Sequence, residues 1–471
     1  MTETFDLAVI GAGSSGCVVA SELVRAGRKV ALVEAGPDYG RFSRRWPRDV
    51  RDPRRRTDRH DWGLEAELTR GETTAEPRAR VIGGCSAHNE CAAVWPPRED
   101  IDAWRVSGWS SAELWPLVDR VEGARGGSAI RGRHGPLVTA PWTDGPLTAW
   151  QSAFVDAAVA SGYDRLDDVS SPAPATGVAP FHANVRDGVR WNAAFAFLDP
   201  VRGRKELSIF AGTEALKLEM RSGRVDALLC RRGRKQLRIL ADAYVLCAGV
   251  YGSPLLLLRS GLHWRAVGRG LQDHPGVALT FDRAPGAPRE LGSPNVYRSQ
   301  VVLRASSGAS LLGWDLHVLP YQADGELLVF VFFMAPSSRG VVDLRDGRPR
   351  IRFRFFAGEG AVDLDALEAG VGIAREIAGR LSFVRVVDPS SSVRARSIRR
   401  WIRENVTGYA HATGTCRIGT GPEGVVDART QVRGLANVHV VDASIIPRIP
   451  RANTNLLCML IGMRAAQLVG S

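Results

Sequence analysis

FDLAVIGAGSSGCVVASELVRAGRKVALVEAG, Phe5 to Gly36, is the stretch whose reading decides the fold. Leu7 to Ile10 is a short apolar run without alternation, the pattern of a strand buried on both faces of a parallel sheet. Gly11, Gly13 and Gly16 follow in GxGxxG spacing, then a helix-like segment to Ala26 and a second apolar run, Val30 to Val33, which ends at Glu34. Gly11 permits the tight turn, Gly13 lets the backbone approach a pyrophosphate, and Gly16 lets the helix pack on the strand. The helix N-terminus, with Ser14 and Ser15 in its first turn, then faces the phosphate charge. Glu34, followed by Ala35, is placed to accept hydrogen bonds from both hydroxyls of an adenosine ribose and to repel a 2′-phosphate. A GxGxxG alone is weak; strand, helix and terminal acid in register make a βαβ dinucleotide site. The stretch leaves open whether the dinucleotide is FAD or NAD.

The chain has 471 residues, room for two or three domains, and 45% hydrophobic with 24% charged residues is an ordinary globular balance. The first strand starts almost at the initiator methionine, so no signal peptide is expected. Tyr244 to Leu258, the longest apolar stretch, holds two glycines and a proline and closes at Arg259, too short and broken for a transmembrane segment. Seven cysteines without a CxxC pair argue against a disulfide framework or a zinc site; the expectation is reduced, buried thiols in a cytoplasmic protein with no metal. The net charge of +12 comes mostly from arginine, clustered at Arg44–Arg59, Arg231–Arg238 and Arg394–Arg403. Such clusters can meet nucleic acid, an anionic membrane surface or an acidic partner. No nucleic-acid motif accompanies them, so no nucleic-acid partner is expected. The oligomeric state is not encoded.

After Gly36 a polar, arginine-rich segment to Thr74 reads as loop and short helix. Ala103 to Val121 has a helical pattern, and Pro141 to Gly162 gives another helix before a loop at Ser170–Pro180. Leu207–Arg238 is strand-like, with turns at Gly223 and Gly233, and a further strand at Ala243–Cys247 precedes a leucine-rich helix ending at Ser260-Gly261. Phe281 to Phe356 alternates in short pieces as an antiparallel sheet does. Asp363–Arg380 is a helix, Val438–Val441 a last buried strand and Asn455–Val469 a last helix. The fold class is therefore mixed α/β. A Rossmann-like dinucleotide domain (1-140, 206-280 and 435-471) is interleaved with a substrate domain (141-205 and 281-434) built on an antiparallel sheet with helices.

Several of these blocks, in this order, resemble the glucose–methanol–choline (GMC) family of FAD-dependent oxidoreductases. Gly83–Asn89, GGCSAHN, is similar to its GGSS-x-x-N block, Ala248–Leu262, AGVYGSPLLLLRSGL, to its second signature, and LQDHP follows at Leu271–Pro275. Ser338-Arg339-Gly340, Tyr409–Gly419 (YAHATGTCRIG) and Val441–Asn455 (VDASIIPRIPRANTN) resemble its later blocks. The resemblance implies FAD as the cofactor. Gly83, Gly84, Ser86, Asn89, Cys91, Ala248, Gly249, Asp442, Ala443 and Asn455 become expected contacts to it, beside the N-terminal residues. Gly83–Trp104 is especially similar to choline oxidases, where the histidine matching His88 is bonded to the flavin; the alternative is that His88 only packs or hydrogen-bonds nearby.

Oxidising an alcohol requires loss of the hydroxyl proton and delivery of the α-hydrogen to flavin N5. Histidine is suited to the proton, and the chain has nine. The resemblance singles out His411 as base or alkoxide stabiliser and Asn453 as the group that orients the substrate oxygen. His274 is expected to fix a loop, His317 to be a core histidine, and Cys416 not to be a nucleophile. Trp314, Tyr321, Phe330, Phe332 and Phe333 are pocket candidates, although aromatics in a sheet are more often core. The chain looks shorter than choline-oxidising relatives, and no acidic partner for a trimethylammonium head can be placed. The leading expectation is an alcohol oxidase or dehydrogenase passing electrons to oxygen, a quinone or a redox carrier. Alternatives are a non-redox FAD-containing lyase of the same fold and a dehydrogenase serving a dedicated carrier.

Overall fold

The computed structural model describes every residue except 1–3, 56–58, 70, 72, 142–144, 172–175, 286, 288–290, 292–297, 324, 391–394 and 471. The opening unit forms as its periodicity requires: strand Thr4–Ile10, helix Ser14–Arg25 and strand Val30–Val33, the last buried at every position. Leu207–Phe210 lies parallel to Val30–Val33, and Lys235–Leu246 lies parallel to Thr4–Ile10. The C-terminal helix Thr454–Val469 packs on Ser14–Arg25 so closely that a Cβ on Gly462 would lie 2.8 Å from the Ser15 carbonyl oxygen.

Lys235–Leu246 corrects the expectation of a hairpin followed by a separate strand at Ala243–Cys247. It is one strand with two kinds of neighbour. Its first half pairs antiparallel with Arg224–Arg232; its second half pairs parallel with Thr4–Ile10 and Val438–Val440. The polar, alternating half faces solvent on one side, whereas Tyr244, Val245 and Leu246 are fully buried, so the sequence changes pattern inside a single element.

The second large sheet runs in the order Val384–Asp388, Pro275–Arg283, Glu326–Phe333, Leu316–Ala323, Val301–Ala305, Gly177–Pro180, Asp164–Arg165. Alternation along Glu326–Phe333 sorts its side chains. Leu327, Val329, Val331 and Phe333 join the core that includes Leu364, Leu367 and Val371 of helix Ala361–Ala378, while Leu328, Phe330 and Phe332 pack on the opposite face. Gly370 lets that helix approach, since a Cβ there would come 2.4 Å from Val331 Cγ1.

Other expectations are revised. Ala103–Val121 is no continuous helix: Arg105 and Gly108 take positive φ (52° and 82°), and only short turns at Ser111–Leu114, Trp115–Leu117 and Val118–Val121 follow. The segment after Gly36 contains strands Leu64–Glu67 and Thr73–Glu76 besides the short helix Arg48–Arg51. Both strands are polar, so no apolar period announces them; they complete a sheet with Gly340–Arg345, Arg348–Arg352 and Arg269–Leu271. The expected loop at Ser170–Pro180 ends in strand Gly177–Pro180, and its residues 172–175 lie outside the described residues. The helix expected over Pro141–Gly162 spans Ala149–Ala160, with 142–144 outside the described residues.

Several arginines of the three clusters meet acids. Asp52 faces Arg48, Arg54 and Arg55, Glu214 meets Arg231, Glu219 meets Arg238, and Arg399 bridges Asp365 and Glu368; residues 56–58 and 394 of these clusters are outside the described set. No described helix is long and apolar enough to cross a membrane, and the seven cysteines are free thiols.

Candidate active site

One cavity of about 1180 Å³ is lined by residues of both large sheets. Gly11, Gly13, Ser14, Ser15, Glu34 and Ala35 line it. Gly11, at φ 99°, turns so tightly that a Cβ would meet the Cys247 carbonyl oxygen at 2.4 Å; one on Gly16 would lie 1.9 Å from the Gly11 carbonyl oxygen. Glycine is obligatory at both. Gly16 therefore works behind the wall. Glu34 is buried, and its carboxylate accepts the Ala12 N–H at 2.9 Å and the Gly36 N–H at 2.8 Å. Burial raises its pKa, and those backbone donors oppose the rise.

The Gly83–Asn89 block meets the N-terminal loop face to face: a Cβ on Gly84 would come 2.5 Å from Gly13 Cα. Gly84, His88 and Asn89 line the cavity. Gly83, Ser86 and Cys91 do not, and they shape the loop instead. Gly83 donates its N–H to the Ala12 carbonyl at 2.8 Å. The Ser86 hydroxyl donates to the Gly83 carbonyl at 2.6 Å and accepts the Ala193 N–H at 3.0 Å. Cys91 is fully buried at φ 65°, its N–H on Asn89 Oδ1. The chain leaving this block is anchored by a buried ion network in which Arg131 contacts Asp168 at 2.6 Å, Glu122 at 2.7 Å and the Ala93 carbonyl at 3.1 Å.

Ala248, Gly249, Asp442, Ala443 and Asn455 line the same cavity. Asp442 accepts the Gly249 N–H at 2.9 Å, the Ser253 hydroxyl at 2.5 Å and the Ser444 N–H at 2.8 Å, which ties the leucine-rich helix Gly249–Arg259 to the C-terminal segment. Asn455 Oδ1 accepts the Ser14 hydroxyl at 2.7 Å, joining residues 441 positions apart. These residues fit FAD. Helix Ser14–Arg25 starts at Gly13 with no side-chain cap and no acid in its first turn, so its N–H groups suit a pyrophosphate. The Asn455 amide nitrogen and the Asn453 amide oxygen are both buried on this cavity with no partner among the described residues.

His411 and Asn453 stand together, with Asn453 Nδ2 3.0 Å from His411 Nε2, and both line the cavity. The His411 N–H donates to Asp273 Oδ1 at 2.9 Å, and the same oxygen accepts the His274 N–H at 2.7 Å. His274 Nδ1 then lies 3.1 Å from His411 Nδ1, while its Nε2 lies 3.1 Å from the Pro450 carbonyl oxygen. Burial lowers the pKa of both histidines, that of His274 to about 3, and His274, His317 and Arg78 lower His411 further. Burial and the neighbouring Glu76 push Asp273 up to about 7. Sequence reasoning gave His274 a loop-fixing role. It has one, through Pro450, but its second ring nitrogen reaches His411. That contact joins residues 137 apart, and nothing local to LQDHP signals it. Atoms of Asp273, His274 and His411 lie within 4.8 Å of one another; the hydrogen bonds just described account for that closeness.

Beside His411 stands an aromatic wall. Tyr409 stacks on Phe332 at 3.8 Å and 4°, Phe332 on Phe330 at 5.4 Å and 7°, and the Tyr409 ring lies 4.3 Å from that of His411. Phe332 occupies the space over Gly276, where a Cβ would come 2.1 Å from its Cδ1. Of the expected pocket aromatics, Tyr321, Phe330 and Phe332 line the cavity; Trp314 and Phe333 do not. His317 is a core residue stacked on Trp314 at 5.3 Å and 8°. Cys416 is buried, and burial raises its thiol pKa, which removes it as a nucleophile.

Family models described as GMC oxidoreductase match residues 5–276 and 336–462. The oxygen-dependent choline dehydrogenase of Brucella melitensis is 29% identical over 98% of this chain and 94% of its own. The choline oxidase of Arthrobacter globiformis is 27% identical over 99% and 94%. Both alignments extend over more positions than the chain has residues, 536 and 531 against 471, so these relatives carry insertions that it lacks. Among solved structures, pyridoxine 4-oxidase from Mesorbium loti superposes with a TM-score of 0.89 at 26% identity, covering 98% of each chain. Formate oxidase, at 19% identity and a TM-score of 0.87, shares the fold.

Proposed function

This chain belongs to the GMC oxidoreductase family, and on that premise we propose that His411 and Asn453 form the centre at which it activates an alcohol. It is an FAD-dependent oxidoreductase acting on CH–OH donors. The observation that carries the assignment is the 3.0 Å contact between Asn453 Nδ2 and His411 Nε2 on the cavity wall. The flavin, when bound, supplies the acceptor for the carbinol hydrogen and its electron pair. The protein's residues bind, orient and deprotonate. His411, neutral because it is buried, offers a lone pair to the hydroxyl proton, and Asn453 holds the oxygen from which the proton departs.

In this reading residues 1-140, 206-280 and 435-471 hold the dinucleotide, and 141-205 and 281-434 shape the alcohol pocket. Glu34 takes the adenosine ribose, the first turn of Ser14–Arg25 takes the pyrophosphate, and the Gly83–Asn89 block and Asn455 lie along the flavin. We place His88 at the flavin ring edge, bonded to it. Acid precipitation tests this: colour that stays with the pellet supports the bond, and colour released to the supernatant overturns it.

The substrate we favour is an uncharged alcohol with a flat or apolar body, not a quaternary ammonium. Tyr409, Phe332 and Phe330, stacked on one another, make the cavity wall beside His411 apolar. The wall carboxylates nearby are engaged: Glu90 accepts from Tyr321 at 2.8 Å and lies 3.3 Å from Arg298, and Glu76 pairs with Arg78 at 2.6 Å. Anaerobic mixing with aromatic, aliphatic and quaternary-ammonium alcohols is the test. Bleaching of the oxidised-flavin band by the first two classes alone supports the reading; bleaching by choline alone overturns the substrate class, and no bleaching by any alcohol overturns the site. Return of colour on readmitting air identifies oxygen as the acceptor, and slow return points to a quinone or carrier. The reduced thiols are the basis for placing the enzyme in the cytoplasm.

A further inference from the structure

Two histidine nitrogens that face each other present a choice. His274 Nδ1 and His411 Nδ1 are 3.1 Å apart, so one must carry a hydrogen and the other a lone pair. The far side of His274 decides which. Its Nε2 lies 3.1 Å from the Pro450 carbonyl oxygen. A carbonyl oxygen accepts and never donates, so His274 Nε2 carries the hydrogen. The same oxygen also accepts the Ala452 N–H at 2.8 Å, which uses its second lone pair and leaves its position fixed. A neutral imidazole has one N–H, so His274 Nδ1 holds a lone pair. His411 Nδ1 must therefore be the donor, which leaves His411 Nε2 bare. The next contact agrees: Asn453 presents an NH₂ group to that nitrogen at 3.0 Å.

We infer that the Pro450 carbonyl and His274 together fix the tautomer of His411, holding its Nε2 as an unprotonated base on the cavity wall. His274 is a positioning residue and touches neither substrate nor cofactor: it is fully buried and absent from the cavity lining. The four groups form one polarised chain, Pro450 C=O accepting from His274, His274 from His411, and His411 from Asn453. Its direction is set by a backbone atom that no side-chain rotation can reverse. The inference rests on His411 being the base proposed above. When an alcohol binds, the Asn453 N–H leaves Nε2 for the alcohol oxygen, the O–H bond breaks and an Nε2–H bond forms. The imidazolium so produced keeps its Nδ1–H on His274, so the positive charge is delocalised over a ring already hydrogen-bonded behind. With the opposite tautomer Nε2 would meet the substrate as a donor, with no lone pair to take the proton.

Asp273 completes the mounting. Its Oδ1 accepts both backbone N–H groups, of His274 and His411, at 2.7 and 2.9 Å, and so sets the two rings at their spacing.

The test uses the FAD-loaded full chain labelled with ¹⁵N-histidine. Two-bond ¹H–¹⁵N correlation spectra distinguish the Nδ1–H from the Nε2–H form of a neutral ring, and the signal lost in His411→Gln identifies that residue. The expected pattern is Nδ1–H for His411 and Nε2–H for His274. Nε2–H for His411 in the resting enzyme overturns the inference. Because the spectrum needs no turnover, it separates this inference from the alcohol-oxidation reading, which stands or falls on flavin bleaching.

Two variants add a kinetic arm. His274→Asn keeps an acceptor near the Nδ1 position and His274→Leu removes it. The Leu variant is expected to lose about 10–100-fold in the rate constant for flavin reduction, with FAD content and substrate KM unchanged, and the Asn variant to recover most of that loss. Equal rates in the two variants overturn the inference. If the Leu variant does not fold, the wild-type spectrum still decides.

Discussion

At the scale of single residues, His411 carries the sharpest expectation. His411→Ala is expected to lower the rate of flavin reduction by about 10²–10⁴-fold while FAD stays bound, since the residues proposed to contact the dinucleotide lie on other elements; near-normal reduction in a stopped-flow trace would contradict the assignment. Its pH dependence follows from burial. Because the folded enzyme holds His411 well below the ordinary histidine value of 6.5, the acid limb of the reduction rate is expected below that value, with a flat rate above it. An acid limb centred at or above 6.5 would contradict a buried neutral base. Gly16 supplies a contrasting case, since it touches nothing that reacts. Gly16→Ala drives a Cβ to 1.9 Å from the Gly11 carbonyl oxygen, forcing strand and helix apart; the expected outcome is protein purified without FAD, read as loss of the flavin absorbance.

At the scale of elements, the Arg131–Glu122–Asp168 network shows how a segment far from the chemistry holds the site. All three side chains are fully buried, so removing the cation leaves two carboxylates without compensation. Arg131→Met is expected to destabilise the fold by about 3–5 kcal/mol, read as a lower midpoint in urea, and to loosen the block after Asn89 that Ala93 anchors. The elements also show why some of the chain was legible in its sequence and some was not. The Phe5–Gly36 unit announces itself because each piece is long enough and apolar enough to keep one period. Glu326–Phe333 reads as a strand for the same reason, although which of its aromatics face the cavity depends on a register that only the assembled sheet sets. Leu64–Glu67 and Thr73–Glu76 are polar, and the former pairs in parallel with Ile351 and Arg352, far along the chain. No local signal marks such a strand. His411 and Asn453 were legible only through family resemblance, and the contact between His411 and His274 was not legible at all, because neither ring's partners lie near it in sequence.

At the scale of the whole molecule, buried neutral histidines set the response to acid. Burial, aided by Arg131, lowers His182 to about 4, and burial lowers His274 to about 3. Both folded values lie below the unfolded value of about 6.5. The unfolded chain therefore binds protons first as the pH drops, and stability that is complete above 6.5 is lost on descent toward 4 and 3. Each such ring contributes a slope of about 1.4 kcal/mol per pH unit across its window. Thermal scans are expected to show the melting temperature falling steadily below pH 6.5, and a flat melting temperature across that range would contradict neutral burial. The hydrogen bond between Ser14 and Asn455 also spans the molecule, and it has a consequence for synthesis. The two residues are 441 positions apart, and Asn453 is nearly as far from the glycine loop. At about 5–20 residues per second, a ribosome needs roughly 20 to 90 s after making the first half of the dinucleotide site to make the second. The residues that close over the phosphate loop are therefore made long after the loop itself, and chains stalled short of Asn453 are expected to retain less flavin than full-length chains, read as flavin absorbance of the isolated nascent complexes; equal retention would contradict a site that needs both ends of the chain.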